Sequence, residues 1–201
     1  MSRLESPSSI NTFNTCKRKY YYSYKINLPK RESISTLTGK AVHYALENFF
    51  KIDLNIIDKK NYEHELKSYL LNIFNSAWAK SLNEFLKLEN DKETIRNYYI
   101  ESMYMLQNFI NDFLGLLNNK LNTLNFENAF NLLKPDTEVY LSSEKYNVHG
   151  YIDSILSVDG EIYIIDYKTG SKDNFSDDYL LQLAIYSLLF QDKYGKLPDK
   201  V

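Results

Sequence analysis

A single dipeptide constrains this chain more than any other feature. Asp159-Gly160 lies between two runs rich in β-branched and aromatic residues, Tyr146 to Leu156 and Glu161 to Tyr167. Asp-Gly accepts positive φ at both central positions of a two-residue turn, so the two runs are expected to fold back on each other as an antiparallel hairpin. With Val158 against Glu161, the register sets Asp153 directly opposite Asp166. Counted from the turn, the two form a non-hydrogen-bonded pair, with Cα atoms about 4.5 Å apart and side chains on one face.

Two carboxylates at that range repel. Their neighbours Ile152, Ile155, Ile164 and Ile165 are apolar, so water screens them poorly. A hard divalent cation such as Mg²⁺ or Mn²⁺ resolves the conflict, since it takes carboxylate oxygens, keeps several waters and accepts phosphate oxygens as further ligands. Lys168, two residues past Asp166, is expected on the same strand face. Such a set suits phosphodiester hydrolysis: the cation polarises the phosphate and lowers the pKa of bound water, and the ammonium steadies the developing charge. Spacing alone equally suits exposed strand-end aspartates with Lys168 paired to one of them.

The remaining chain reads as mostly helical. Ser6-Pro7-Ser8-Ser9 supplies N-cap chemistry for an amphipathic helix with Ile10, Phe13, Cys16 and Tyr20 on its buried face and Lys17, Arg18 and Lys19 on the other. After a break near Leu28-Pro29, Thr38-Gly39 leads into a helix with Val42, Leu46, Phe49 and Phe50 as its stripe and His43 near its start. From about 59 to 133 the period stays helical, with Leu66, Leu70, Phe74 and Trp78 in one segment and Leu106, Phe109, Ile110 and Phe113 in another. At Lys134-Pro135-Asp136 the period changes, and Glu138 to Leu141 is expected as the first of three antiparallel strands. A last helix runs from about Ser176 to Lys193 and closes at Gly195.

Composition bounds the class. A 44% hydrophobic and 25% charged chain of 201 residues is long enough for one globular domain. No apolar run approaches the roughly 20 residues of a membrane span, and the N-terminus lacks the apolar core of a signal peptide, so an intracellular protein with no membrane partner is expected. One cysteine cannot make an internal disulfide or, alone, a zinc or iron–sulfur site. A net charge of −2 gives no global case for nucleic-acid binding, which must come from local patches.

Five ordered pieces of sequence carry a resemblance. They are Ser8-Ser9-Ile10 through Phe13, Cys16 and Tyr20-Tyr21-Tyr22; Gly39-Lys40-Ala41-Val42-His43; Gly150-Tyr151-Ile152-Asp153; Ile164-Ile165-Asp166-Tyr167-Lys168-Thr169-Gly170; and Gln182-Leu183-Ala184-Ile185-Tyr186. Together they resemble the PD-(D/E)XK nucleases, in particular the RecB-like exonuclease branch that includes the CRISPR-associated exonucleases and bacteriophage lambda exonuclease.

The resemblance implies an α/β fold: a restriction-endonuclease-like mixed sheet flanked by helices, forming a single domain over 1–201 with a helical cap or insertion over about 59–133. It implies His43, Asp153, Asp166 and the main-chain carbonyl of Tyr167 as ligands of Mg²⁺ or Mn²⁺, and Lys168 as the catalytic lysine. Without the resemblance, His43 reads as a helix-surface residue. Gln182 and Tyr186, four apart on one helix face, would help position DNA. Glu138 matches an acidic residue on the strand before the metal aspartates and is expected beside the ligands. Lys17 and Arg18, with Tyr20, would contact backbone phosphates and stack a base, although a charge run is as often a helix's solvated face. His64 and His149 match no family position.

Many relatives hold an iron–sulfur cluster through an early cysteine, where Cys16 stands, and three later ones. Cys16 alone implies no cluster here, and it is either an orphaned ligand of a longer chain or a small core residue. The implied function is a metal-dependent exonuclease acting on single-stranded DNA or DNA ends; the sequence does not give the pathway it serves. A non-catalytic DNA-binding or assembly module for a helicase or integrase partner, and an RNA or structure-specific nuclease, are the alternatives.

Overall fold

The Asp159-Gly160 turn forms as its chemistry requires, with φ of +54° and +84° at its two residues. This computed structural model describes residues 3–29, 32–89, 91–168 and 176–201. On either side of the turn run β2 (Val148–Val158) and β3 (Glu161–Ile165), paired antiparallel from Val158↔Glu161 to Ser154↔Ile165. β1 (Asp136–Ser143) pairs with the other edge of β2, from Ser143↔Val148 to Asp136↔Ile155. The sheet order is β1-β2-β3. All of these strand pairings are antiparallel, where a mixed sheet was expected; the parallel contacts are two isolated bridges outside the strands, Glu5↔Val148 and Tyr163↔Lys200.

The chain divides into two compact units. One holds the N-terminal segment, the sheet and the last helix. The other runs from Glu32 to Pro135 and takes in Tyr167 and Lys168.

In the sheet unit, α1 (Pro7–Thr15) starts at a capping box in which Ser6 Oγ accepts the N–H of Ser9 at 3.2 Å and Ser9 Oγ accepts that of Ser6 at 2.9 Å. A single helix continuing through Tyr20 does not form. Cys16 is extended, with φ −158° and ψ 103°, and its Sγ accepts the Lys19 N–H at 3.4 Å to cap a new helix, α2 (Lys17–Tyr20), which runs into a π-helical turn over Tyr21–Lys25. The interruption breaks the 3.6 period, so the expected buried stripe is lost: Phe13 is 43% exposed and Cys16 is exposed rather than a core residue. Glu5 ties the segment together instead, accepting from Ser9 Oγ at 2.6 Å and Tyr20 Oη at 2.5 Å.

The last helix, α7 (Asp177–Tyr194), stops at Gly195, whose φ of +74° suits glycine. Its Ile185, Tyr186, Leu189 and Phe190 are buried with Leu141, Val148, Ile152, Ile155 and Ile164 of the sheet in one apolar core. Each such side chain contributes about 1.5–3 kcal/mol when fully buried.

The second unit is helical. α3 (Ile34–Phe49) begins earlier than Thr38-Gly39 suggests, because Ser33 Oγ caps it by accepting the Thr36 N–H at 3.2 Å. Thr38 and Gly39 are thus interior, and His43 sits in mid-helix rather than near the start. α4 (Tyr62–Leu88), α5 (Lys92–Leu121) and α6 (Phe126–Leu132) follow within the expected helical stretch. Leu66, Leu70, Phe74 and Trp78, spaced by four, are buried along α4. Phe49, Phe50, Phe113 and Phe130 meet at ring separations of 5.0 to 6.1 Å, mostly edge to face. Among the described residues, no helix is long and apolar enough to cross a membrane.

Candidate active site

The β1–β2 pairing skips one position. Thr137↔Ser154 and Val139↔Ile152 are paired, which leaves Glu138 standing across from Asp153 between them. Glu138 has φ +52°, a left-handed conformation uncommon for a non-glycine residue and costly enough that surrounding structure must enforce it. One carboxylate oxygen of Glu138 lies within 4.8 Å of one of Asp153. On the other side, β2 and β3 pair as far as Ser154↔Ile165, and the next step of that register sets Asp153 across from Asp166. Glu138 and Asp153 therefore face each other across β1 and β2, and Asp166 is the first residue beyond β3.

Helix α7 reaches the last of these. The Gln182 side-chain amide donates from Nε2 to Asp166 Oδ1 at 2.9 Å and to Tyr186 Oη at 2.8 Å. Burial pushes the Tyr186 hydroxyl up to about 12. The Gln182 hydrogen bond opposes the rise, while the charges of Asp166, Asp153 and Glu138 add to it. All three carboxylates thus act on one phenol, which stays protonated at neutral pH.

Gly150 makes the approach of α7 possible. A Cβ there would lie 2.8 Å from Cε1 of Tyr186, closer than side-chain carbons pack. In the sequence this glycine stands within a family motif with no role of its own; the signal that could have given it one is a glycine inside a strand, which marks close approach of another group.

In the helical unit, His43 Nε2 lies 3.0 Å from the carbonyl oxygen of Tyr167. Adjacent ligands of an octahedral cation with bonds of about 2.1 Å stand about 3.0 Å apart, so this separation suits two neighbours on one ion. As a direct hydrogen bond, the same contact needs the proton on Nε2. The clustered carboxylates of the sheet unit fit a hard divalent cation by their chemistry.

Lys168 is exposed and lies beyond β3, which ends at Ile165. Strand alternation therefore does not set its direction, contrary to the expectation of a strand through Tyr167. Thr169 and Gly170 of the same motif lie outside the described residues.

Near the N-terminus, Lys17 and Arg18 are exposed. Tyr20 is engaged in packing: its hydroxyl donates to Glu5 and its ring meets Phe13 edge-on at 5.2 Å. The open rings are Tyr21, 52% exposed, and Tyr22, 41% exposed, with the Arg18 guanidinium 5.9 Å from the Tyr22 centroid.

An antiparallel sheet with carboxylates gathered at one end and a helix packed on it defines an α/β protein with an acidic cluster. The chain belongs to the PD-(D/E)XK nuclease superfamily, whose profile matches residues 5–200. It is similar to the CRISPR-associated exonuclease Cas4 of Francisella tularensis subsp. novicida, 38% identical over 56 residues that cover 28% of each chain. It is also similar to one chain of the ATP-dependent helicase/deoxyribonuclease of Clostridium tetani, 27% identical over 90% of this chain and 17% of that one. One chain of the ATP-dependent helicase/nuclease of Clostridium kluyveri is 27% identical over 58% of this chain and 11% of that one. The chain thus spans less than a third of the length of each of these relatives. No solved structure matches it.

Proposed function

We propose that this chain is an intracellular, metal-dependent DNA nuclease that hydrolyses phosphodiester bonds as an exonuclease on single strands or DNA ends. The observation that supports the proposal is Glu138 across from Asp153, with Asp166 just beyond β3 accepting from Gln182, which also donates to Tyr186.

Asp153 and Asp166, with His43 and the Tyr167 carbonyl, would hold one Mg²⁺ or Mn²⁺; the imidazole suits Mn²⁺ at least as well as Mg²⁺. When bound, the cation supplies Lewis-acid polarisation of the phosphate and a water of lowered pKa. Glu138 adds negative charge beside Asp153 and accepts protons or hydrogen bonds from water there. Gln182 fixes the orientation of Asp166, and the protonated Tyr186 fixes Gln182 in turn. Lys168 contributes an ammonium to the charge developing on the phosphate. Lys17, Arg18 and the exposed Tyr22 form a backbone- and base-contacting patch for the strand, a role in which Tyr22 replaces Tyr20. The relatives that belong to helicase/nuclease assemblies support a helicase as partner.

The test is an incubation of the purified chain with end-labelled single-stranded DNA, duplex DNA and RNA, each with Mg²⁺, Mn²⁺ or EDTA. Cation-dependent shortening of single-stranded DNA or DNA ends is expected. DNA binding without cleavage under every cation would overturn the proposal in favour of a binding module.

A further inference from the structure

Two tyrosines stand open on the face of the sheet turned away from α7. The pairs Leu141↔Gly150 and Val139↔Ile152 face that helix: Leu141 and Ile152 are buried in the shared core, Val139 packs against it, and Gly150 lies against Tyr186. Tyr140↔Tyr151, the pair between them, therefore alternates onto the opposite face. The two rings lie 4.9 Å apart between centroids, and Tyr140 and Tyr151 remain 48% and 57% exposed. Half-buried His149 also packs on Tyr140, at a ring separation of 5.8 Å, and helps to fix its position.

Contact within the sheet accounts for how the rings meet but not for their open area, and adjoining exposed aromatic surface marks an interaction site. Their neighbours narrow the occupant. Two residues further along each strand, about 7 Å away, stand Glu138 and Asp153 of the candidate site. A protein seated on the rings would crowd that site, whereas a strand whose phosphate lies at the carboxylates has its flanking nucleotides within reach of the rings. The carboxylates repel the other phosphates of such a strand, so attraction beside them must come from uncharged contacts. Aromatic rings supply it by stacking on the flat faces of bases.

We propose that Tyr140 and Tyr151 form a stacking platform for one or two bases of a single-stranded substrate, next to the nucleotide held at the carboxylates. The proposal rests on the nuclease reading above and adds to it a means of holding the strand. Because every base has a π-face, the platform grips the strand without selecting its sequence. It favours unpaired segments, whose bases are free to splay onto protein rings.

The experiment measures kcat and KM with Mn²⁺ on single-stranded oligonucleotides that carry one abasic residue at successive positions, for the wild type, Tyr140→Ala, Tyr151→Ala and Tyr151→Phe. Thermal melts verify that each variant folds; both side chains lie on the surface, so truncation opens no core. On the intact oligonucleotide Tyr151→Ala should raise KM roughly tenfold with kcat little changed, and Tyr151→Phe, which keeps the ring, should retain the wild-type value. In the wild type, loss of the base at one or two adjacent positions should raise KM by a similar factor, and Tyr151→Ala should abolish that penalty. Exchanging one base for another at those positions should matter far less than removing it. A KM unchanged in both alanine variants, or an abasic penalty equal in wild type and variants, overturns the platform in favour of a protein partner on this face. Should the wild type cut nothing, the nuclease reading fails by itself. Fluorescence anisotropy with the same oligonucleotides and Mn²⁺ then decides the platform: a position-specific affinity loss that Tyr151→Ala removes supports it, and a flat profile or no binding overturns it.

Discussion

The side-chain amide of Gln182 donates to Oδ1 of Asp166 at 2.9 Å and, from the same nitrogen, to the hydroxyl of Tyr186 at 2.8 Å. One helix side chain thus orients a sheet carboxylate and is itself oriented by a buried phenol. Groups that hold a metal-site carboxylate in place are typically worth 10- to 100-fold in activity. Gln182→Ala should therefore lower the single-turnover cleavage rate by roughly 10- to 100-fold while leaving the circular dichroism spectrum and melting temperature nearly unchanged.

Tyr186 gives the fold a signature at high pH. Its hydroxyl is raised from 10.0 to about 12, first by burial and then by the nearby carboxylates, against the opposing Gln182 hydrogen bond. The folded state holds this proton more tightly than the unfolded chain, so the associated stability is fully present below pH 10 and is lost as pH rises towards 12. Denaturant melts over that range should show a decline that Tyr186→Phe removes. An equal decline in both proteins would contradict the assignment.

Gly150→Ala tests how closely α7 approaches the sheet. The new methyl would meet Tyr186 Cε1 at 2.8 Å, so the ring must move. Overpacking of this kind costs about 1–3 kcal/mol. Urea melts should show a loss of that size, and the cleavage rate should fall because Tyr186 carries Gln182 with it.

Glu5 makes the N-terminal segment sensitive to acid. Burial raises its pKa, but hydrogen bonds from Ser9 and Tyr20 and the charges of Arg3 and Lys25 outweigh that and hold it below the ordinary glutamate value. A lowered pKa gives stability that is present above the unfolded value of 4.5 and is lost as pH falls through the folded one. Glu5→Gln should weaken the fold at neutral pH and flatten its acid limb, which melting temperatures recorded from neutral pH down through the carboxylate range would show.

Features fixed by local chemistry were legible in the sequence. The Asp159-Gly160 turn dictated a register that the strands keep through Ser154↔Ile165, and Ser6 and Gly195 marked their helix ends. Features set by contacts distant in sequence were not. Gly150 has a role only because Tyr186 arrives from another element, and the left-handed backbone at Glu138 has no counterpart in strand propensity. Two local signals pointed the wrong way. Gly39 suggested a helix boundary that Ser33 had already supplied, and the apolar period running through Cys16 concealed a break where the thiol caps a second helix. For the candidate site, the hairpin made the aspartate pair readable, whereas His43 entered only through family resemblance.

The most direct test of the account compares cleavage of end-labelled single-stranded DNA by the wild type and by Asp166→Asn across a Mn²⁺ titration. Asp166→Asn keeps the size of the side chain and removes the charge that would hold the cation. The account predicts that the wild type gains activity with Mn²⁺ and loses it in EDTA, and that the folded variant is at least roughly a hundredfold slower at every concentration. Full cleavage by Asp166→Asn, or cleavage by the wild type in EDTA, would contradict it.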